Sequence, residues 1–539
     1  MKKTSENYYI EYIKKILLPC VIFSSVTGVF SAFFITAFKC AAGAAVETST
    51  IIYAYVTQKP ILLACLIPAA LMLGLITSYI LKHSQSCRGG GIPTSIAAIR
   101  GITHLNWLKS TFLLPISACI SFFVGVPLGT EGPCVQMGTG IGDGVVRALG
   151  GKKYQGWRRY MMSAGASSGF ALATGAPVTA IIFSMEEIHK RFSPLLISVA
   201  SISVVTGQLT SHLLNGRGVG TVKLFEISTF EALPLTEVYL PAIIGIVCGL
   251  CSMFFAKLYI YVDKIVRVKL KKLTVWVKIP LIFASIALVG FFFTEILGTG
   301  HSLIERMLNF NPFDIKNTWY VLIIVFLLRA VFMMVSNTAG VTGGVFLPTL
   351  AFGAVVGSLC SSLFVTLGAV GSEHYALLTV IGMVSFLGAT SRIPVTACIF
   401  AIEILGGINN ILAIIIATSV SFLIVELSGL DDFSDIVIES KKEAIYNGKK
   451  PYAVTVSLTV QEGAFVIDEE LSDVLWPALC VLLSVEKGPN RSDKLGIAAG
   501  DVLTVYYKTY NPKETAKEFQ MLVGQQSEEV TKMMLPDAG

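Results

Sequence analysis

A single carboxylate interrupts a long apolar stretch. Gly129-Thr130-Glu131-Gly132-Pro133 follows Thr111–Leu128 and precedes Cys134–Gly142, and neither flank carries a charge. A carboxylate at membrane depth is costly and marks a functional position. The flanking residues indicate what kind. Glycine lets backbone N–H groups approach a ligand closely, proline favours the first turn of a helix, and a helix N-terminus attracts anions. Glu131 therefore places an anionic side chain where a small anion would bind. Two more turns of this composition enter apolar helices: Gly89-Gly90-Gly91-Ile92-Pro93 and Gly343-Gly344-Val345-Phe346-Leu347-Pro348. If the three helix starts converge, their N–H groups and dipoles build an anion site without a permanent positive charge, which suits release as well as binding.

Other chemistry-bearing patterns weigh less. Gly165-Ala166-Ser167-Ser168-Gly169 matches the G-x-S-x-G nucleophile pattern, so an intramembrane hydrolase is the alternative from another class. Small-residue helix packing explains the same residues. None of the six histidines lies in the middle of a clear spanning run as a ready base, and H-E-x-x-H is absent. Cys248-Gly249-Leu250-Cys251 has redox spacing but lies in an apolar run, and the eleven scattered cysteines read as buried thiols without a disulfide framework. No enzyme, metal or cofactor is expected.

The elements that must hold these residues are membrane helices. The 539 residues are 54% hydrophobic and 14% charged, with mean hydropathy +0.71, which excludes an ordinary soluble globule. Clear spans are Ile16–Phe38, Ile61–Leu81, Val238–Leu258, Ile279–Leu297, Val321–Val335 and Ile411–Val425. Shorter runs broken by Gly and Pro suggest tilted or interrupted helices. No cleavable signal peptide is expected. Lys2, Lys3, Lys14 and Lys15, and the run Lys264, Arg267, Lys269, Lys271 and Lys272, place both termini in the cytoplasm of a multi-pass cell-membrane protein. The net charge of +6 reflects this bias rather than nucleic-acid binding.

An internal repeat organises the spans. Pro177–Glu186 reads PVTAIIFSME and Pro394–Glu403 reads PVTACIFAIE, 217 positions apart. Gly129, Pro133, Gly138 and Gly142 register with Gly344, Pro348, Gly353 and Gly357 at an offset of 215. Duplicated halves with Gly/Pro-broken helices point to a transporter whose site lies at the repeat interface. Charge density rises near residue 437, which suggests a linker over 437–450 and a small α/β or α+β cytoplasmic domain over 451–539. Its expected strands are Tyr452–Thr459, Ala464–Ile467, Ala478–Val485 and Asp501–Lys508, followed by a helix over Lys513–Leu522 that Asn511-Pro512 begins.

The three glycine motifs resemble the CLC family of chloride channels and chloride/proton antiporters. The family patterns GSGIP, G(K/R)EGP and GxFxP read here as GGGIP (Gly89–Pro93), GTEGP (Gly129–Pro133) and GVFLP (Gly344–Pro348), in family order. The resemblance covers residues 10–436 and implies an all-α polytopic fold of two inverted helical repeats, roughly 10–215 and 236–436, in a homodimer surrounded by lipid. It implies chloride/proton exchange, with a passive chloride channel or uncoupled anion carrier as the nearer alternative. Glu131 becomes the gate and proton acceptor. Glu187 resembles the internal proton relay, against the plainer reading of a solvated helix-end charge beside Lys190 and Arg191. Glu186 has a repeat mate in Glu403 and reads as structural. Gly89, Gly90, Gly91, Thr130, Gly132, Val345, Phe346, Leu347 and Phe433 are the expected anion-site residues. Two of them depart from the family: Gly90 stands where a serine hydroxyl is usual, and Phe433 where a tyrosine is usual, with Tyr446 as a substitute. Loss of both hydroxyls would weaken chloride binding, loosen coupling or favour another anion. Leu495–Leu503 faintly resembles the C-terminal domain of potassium-channel regulatory subunits, which implies a sensing or dimerising module for an unknown small ligand.

Overall fold

The computed structural model describes residues 13–89, 91–150, 154–216, 225, 230–405, 407–446, 449–467, 471, 474–477, 480–488 and 496–524. Its helices, in chain order, are α1 (Leu18–Gln58), α2 (Leu63–His83), α3 (Ile92–Ile99), α4 (Trp107–Val124), α5 (Glu131–Val145), α6 (Arg158–Thr174), α7 (Pro177–Phe183), α8 (Pro194–Leu214) and α9 (Tyr239–Lys264). They continue with α10 (Val275–Phe292), α11 (His301–Leu308), α12 (Ile315–Ala339), α13 (Phe346–Thr366), α14 (Tyr375–Ser391), α15 (Pro394–Leu405), α16 (Ile411–Leu427), α17 (Phe433–Tyr446) and α18 (Pro512–Val523).

Among the described residues, ten helices are long and apolar enough to cross a membrane. All six expected spans are among them, although the first is much longer than its apolar run, because α1 continues 20 residues past Phe38. Four were not clear from hydropathy: Trp107–Val124, Pro194–Leu214, Phe346–Thr366 and Ser372–Ser391. The last two are the most interior, with 78% and 89% of their apolar windows buried against 22% for Pro60–His83. A helix that meets protein instead of lipid is free to carry Gly, Ser and Thr.

The repeat is visible as local two-fold symmetry. Gly129 N–H donates to Gly344 O and Gly344 N–H to Gly129 O, both at 2.7 Å, so repeat mates pair with each other. The second repeat pair does the same at helix starts. The Glu403 carboxylate accepts the N–H groups of Val178 (3.0 Å) and Thr179 (2.9 Å) at the start of α7. Glu186 accepts those of Val395 (3.0 Å) and Thr396 (2.7 Å) at the start of α15. The matched glycines mark helix crossings. A side chain on Gly138 or Gly142 would collide with the carbonyls of Gly165 and Met161 on α6, and Gly353 and Gly357 stand in the same way against α14.

The tail forms an antiparallel sheet in the order β1-β3-β2, with β1 (Tyr452–Thr459), β2 (Cys480–Glu486) and β3 (Val502–Thr509). Alternate β3 residues enter a separate core with Val454, Val456, Phe519 and Val523, as period-two patterning requires. Pro512 opens α18 as expected. Two details differ. Ala464–Ile467 is a turn, because Phe465 leaves the sheet and packs edge-on to Trp157 at 5.5 Å. The composition shift near 437 falls inside α17, whose Val437 and Ile438 belong to the membrane core. Asp501 accepts N–H bonds from Gly488 and Ala498, both at 3.0 Å, so turn chemistry accounts for this part of the faint C-terminal motif, while Leu495 lies outside the described residues.

Candidate functional site

The three glycine-rich turns converge. A Cβ built on Gly132 would lie 2.6 Å from Gly344 Cα and 2.9 Å from Gly91 Cα, a separation only glycines allow. Gly91 has φ +134°, a second reason for glycine there. The helices that start here, α3, α5 and α13, have no side-chain cap. Three other helix starts are closed by side chains: Asn106 caps α4, and the repeat glutamates cap α7 and α15. Uncapped buried N–H groups are costly to leave unsatisfied, so three open helix starts at one point favour an anionic occupant.

Glu131 supplies one. It is 2% exposed and stands at the first position of α5. Thr130 Oγ1 donates to its Oε1 at 3.2 Å, the Leu347 N–H faces the carboxylate, and Oε2 has no hydrogen-bond partner. Glu131, Thr130 and Leu347 line a cavity of about 730 Å³ whose wall also carries Lys39, Glu47 and Arg306. Val345 and Phe346 are buried at the start of α13, and the Phe346 ring packs edge-on to Phe170 (5.0 Å) and Phe400 (5.6 Å).

Not every expected donor is free. Gly89 N–H is taken by Gly340 O at 2.8 Å, and Gly91 N–H by Gln136 Oε1 at 2.8 Å. Their role is to shape the turn, and Gln136 is a residue that sequence reasoning missed. Gly90 lies outside the described residues. Phe433 is 2% exposed at the start of α17, against Phe255 (5.5 Å) and edge-on to Tyr259 (4.9 Å). Tyr446 is no substitute: its hydroxyl donates to Ile102 O at 2.8 Å and its ring stacks on Tyr510 at 3.8 Å.

Glu187 is 4% exposed, within a π-helical turn over Ser184–His189, and is not a solvated charge. Its Oε1 accepts from Ser434 Oγ at 2.6 Å, next to Phe433, and its Oε2 has no hydrogen-bond partner. Lys190 turns instead to Asp432 (2.5 Å) and Asp435 (2.7 Å). Ser167 is buried and donates to Ser163 O at 3.1 Å within α6, while His189 contacts Ser163 at 2.7 Å. The nucleophile pattern is thus part of a glycine-packed crossing. Ser167→Ala is expected to transport at the wild-type rate in a vesicle flux assay, and loss of all flux would contradict the packing role. All eleven cysteines are free, and Cys248 is buried with its thiol toward Gly382 O at 3.5 Å.

The family model for voltage gated chloride channels matches residues 69–426. This chain belongs to that family. Among solved structures, a slow cyanobacterial Cl-/H+ antiporter is similar with TM-score 0.69 at 22% identity, over 78% of this chain and 98% of that one. A CLC-type fluoride/proton antiporter is similar with TM-score 0.61 at 19% identity, over 76% of this chain and 96% of that one. A eukaryotic CLC transporter gives TM-score 0.63 at 17% identity, over 79% of this chain and 74% of that one. At these identities the likeness is one of fold, and the CLC fold is the membrane scaffold described above.

Proposed function

We propose that this CLC protein exchanges chloride for protons across the cell membrane, as a homodimer with its termini in the cytoplasm. Membership of the family supports anion transport. The observation that carries exchange is the Glu131 carboxylate, seated at the starts of α5 and α13 and facing a cavity. An anion and this carboxylate compete for the same donors: the Thr130 hydroxyl, the Leu347 N–H and the first turns of α5 and α13. Protonation removes the charge that makes Glu131 competitive, so the side chain leaves and an anion enters. Anion passage is thereby tied to protons delivered to or withdrawn from Glu131. Val345 and Phe346 offer further backbone N–H groups on the same route.

Glu187 is the internal proton relay in this reading. It is buried, it contacts Ser434 beside Phe433, and it has one carboxylate oxygen unengaged, so it can take up a proton without breaking an ion pair. Glu187→Gln is expected to lower chloride-driven proton flux about 100-fold or more while anion flux continues, because a positioned acid–base group contributes on that scale. Proton and chloride fluxes measured in the same proteoliposomes check this, and unchanged proton flux would remove Glu187 from the path. A loosely coupled carrier is the second reading. It is favoured by Phe433, a buried ring with no hydroxyl to offer an anion.

A further inference from the structure

The helix α17 brings a lysine to the glycine turns. Lys441 Nζ donates to Gly89 O at 2.6 Å and contacts Thr94 Oγ1, at the first turn of α3. A Cβ on Gly89, itself at φ +52°, would lie 3.4 Å from Lys441 Cε and 3.6 Å from Nζ. Gly89 is two residues from Gly91, which touches the convergence, so the ammonium stands at its α17 side, whereas Lys441 is not among the residues lining the cavity that Glu131 faces.

This cation has no counter-charge among the described residues. The helix α3 has no charged residue, and neither has α14. On α9, Asp263 is taken by Arg267 (2.5 Å) and Ser440 (2.6 Å), and Tyr259 donates to Asn337 (2.9 Å). On α17, Asp435 pairs with Arg100 and Lys190, Glu439 with Lys442, and Glu443 with Arg267. Arg88, beside Gly89, donates to Leu81 O. An ammonium has three N–H donors, and Gly89 O and Thr94 Oγ1 account for two. The third donor and the full charge remain for a mobile anion.

We propose that Lys441, with the Thr94 hydroxyl beside it, binds the transported anion at the α17-side mouth of the pathway, in place of the hydroxyls that Gly90 and Phe433 cannot supply. This rests on the anion-transport reading and deepens it. A permanent cation would hold an anion too tightly for turnover, but this one is withdrawn near neutrality. Burial pushes the Lys441 ammonium down to about 7. Below that pH it is charged and attracts the anion; as pH rises through it the charge is lost and affinity falls. A bound anion favours the charged form, so saturating chloride moves the midpoint upward.

The test is chloride binding to purified full-length protein by titration calorimetry between pH 6 and 9, with chloride flux in proteoliposomes alongside. Wild type is expected to lose affinity about tenfold or more across that range, since a hydrogen bond to a charged group contributes on this scale. Lys441→Met is expected to bind weakly at pH 6 with a flat profile, and Lys441→Arg to keep its affinity at pH 9. The arginine variant and the wild-type profile test the charge even if the methionine variant folds poorly. Wild-type affinity and pH dependence retained in Lys441→Met would overturn the proposal. Wild-type protein that neither binds nor moves chloride, bromide, nitrate or fluoride would overturn the anion-transport reading itself.

Discussion

Glu131→Gln is expected to stop chloride-driven proton movement while anion flux continues, and to remove the pH dependence of that flux. Glutamine keeps the volume of the side chain and its contact with Thr130, but it carries no charge to compete with an anion and cannot exchange a proton. The helix starts of α5 and α13 then stay open to chloride at every pH. Proton flux is expected to fall by about 100-fold or more, the usual scale for loss of a positioned acid–base group. Simultaneous recording of pH and chloride in proteoliposomes measures both. Loss of both fluxes in a well-folded variant would make Glu131 a structural carboxylate, and retention of both would remove it from the gate.

The second large effect concerns the scaffold. Gly138→Ala and Gly142→Ala each place a methyl group against a backbone carbonyl of α6, at Gly165 and Met161. A flexible side chain could yield; a helix backbone cannot without moving the whole crossing. Overpacking typically costs about 1–3 kcal/mol, and a clash with backbone belongs at or above the upper end. The start of α5 carries Glu131, so the same shift displaces the gate. Thermal unfolding of detergent-purified protein is expected to fall sharply for both variants, with parallel losses for Gly353→Ala and Gly357→Ala at the repeat-related crossing. Unchanged melting temperatures would contradict the close packing of α5 on α6.

Much of this arrangement was legible in the residues because packing and chemistry demand the same ones. The turns at Gly89, Gly129 and Gly344 are glycine-rich because three backbones meet there, and that also marks the site. The mates Glu186 and Glu403 read as structural from the repeat, and each caps the other half's helix. Glu187, with no mate, is the buried one of its pair that accepts from Ser434. The interior helices α13 and α14 were harder to read, because contact with protein relaxes the demand for apolar residues. Long-range partnerships left no local signal. Gln136 binds Gly91 across 45 positions, and Lys441 reaches Gly89 across 352. In the sequence Lys441 is one of a charged group that reads as solvated linker. Only the continuation of α17 through that group turns it toward the glycine turns.

The central claim is exchange, and one measurement tests it most directly: proton movement in proteoliposomes holding this protein and driven by a chloride gradient alone. Protons are expected to move against their own gradient in exchange for chloride, and Glu131→Gln is expected to abolish this uptake while chloride still crosses. Rapid chloride flux with no proton movement in the wild-type protein would contradict it, leaving a passive pathway in which Glu131 is a gate and not a carrier.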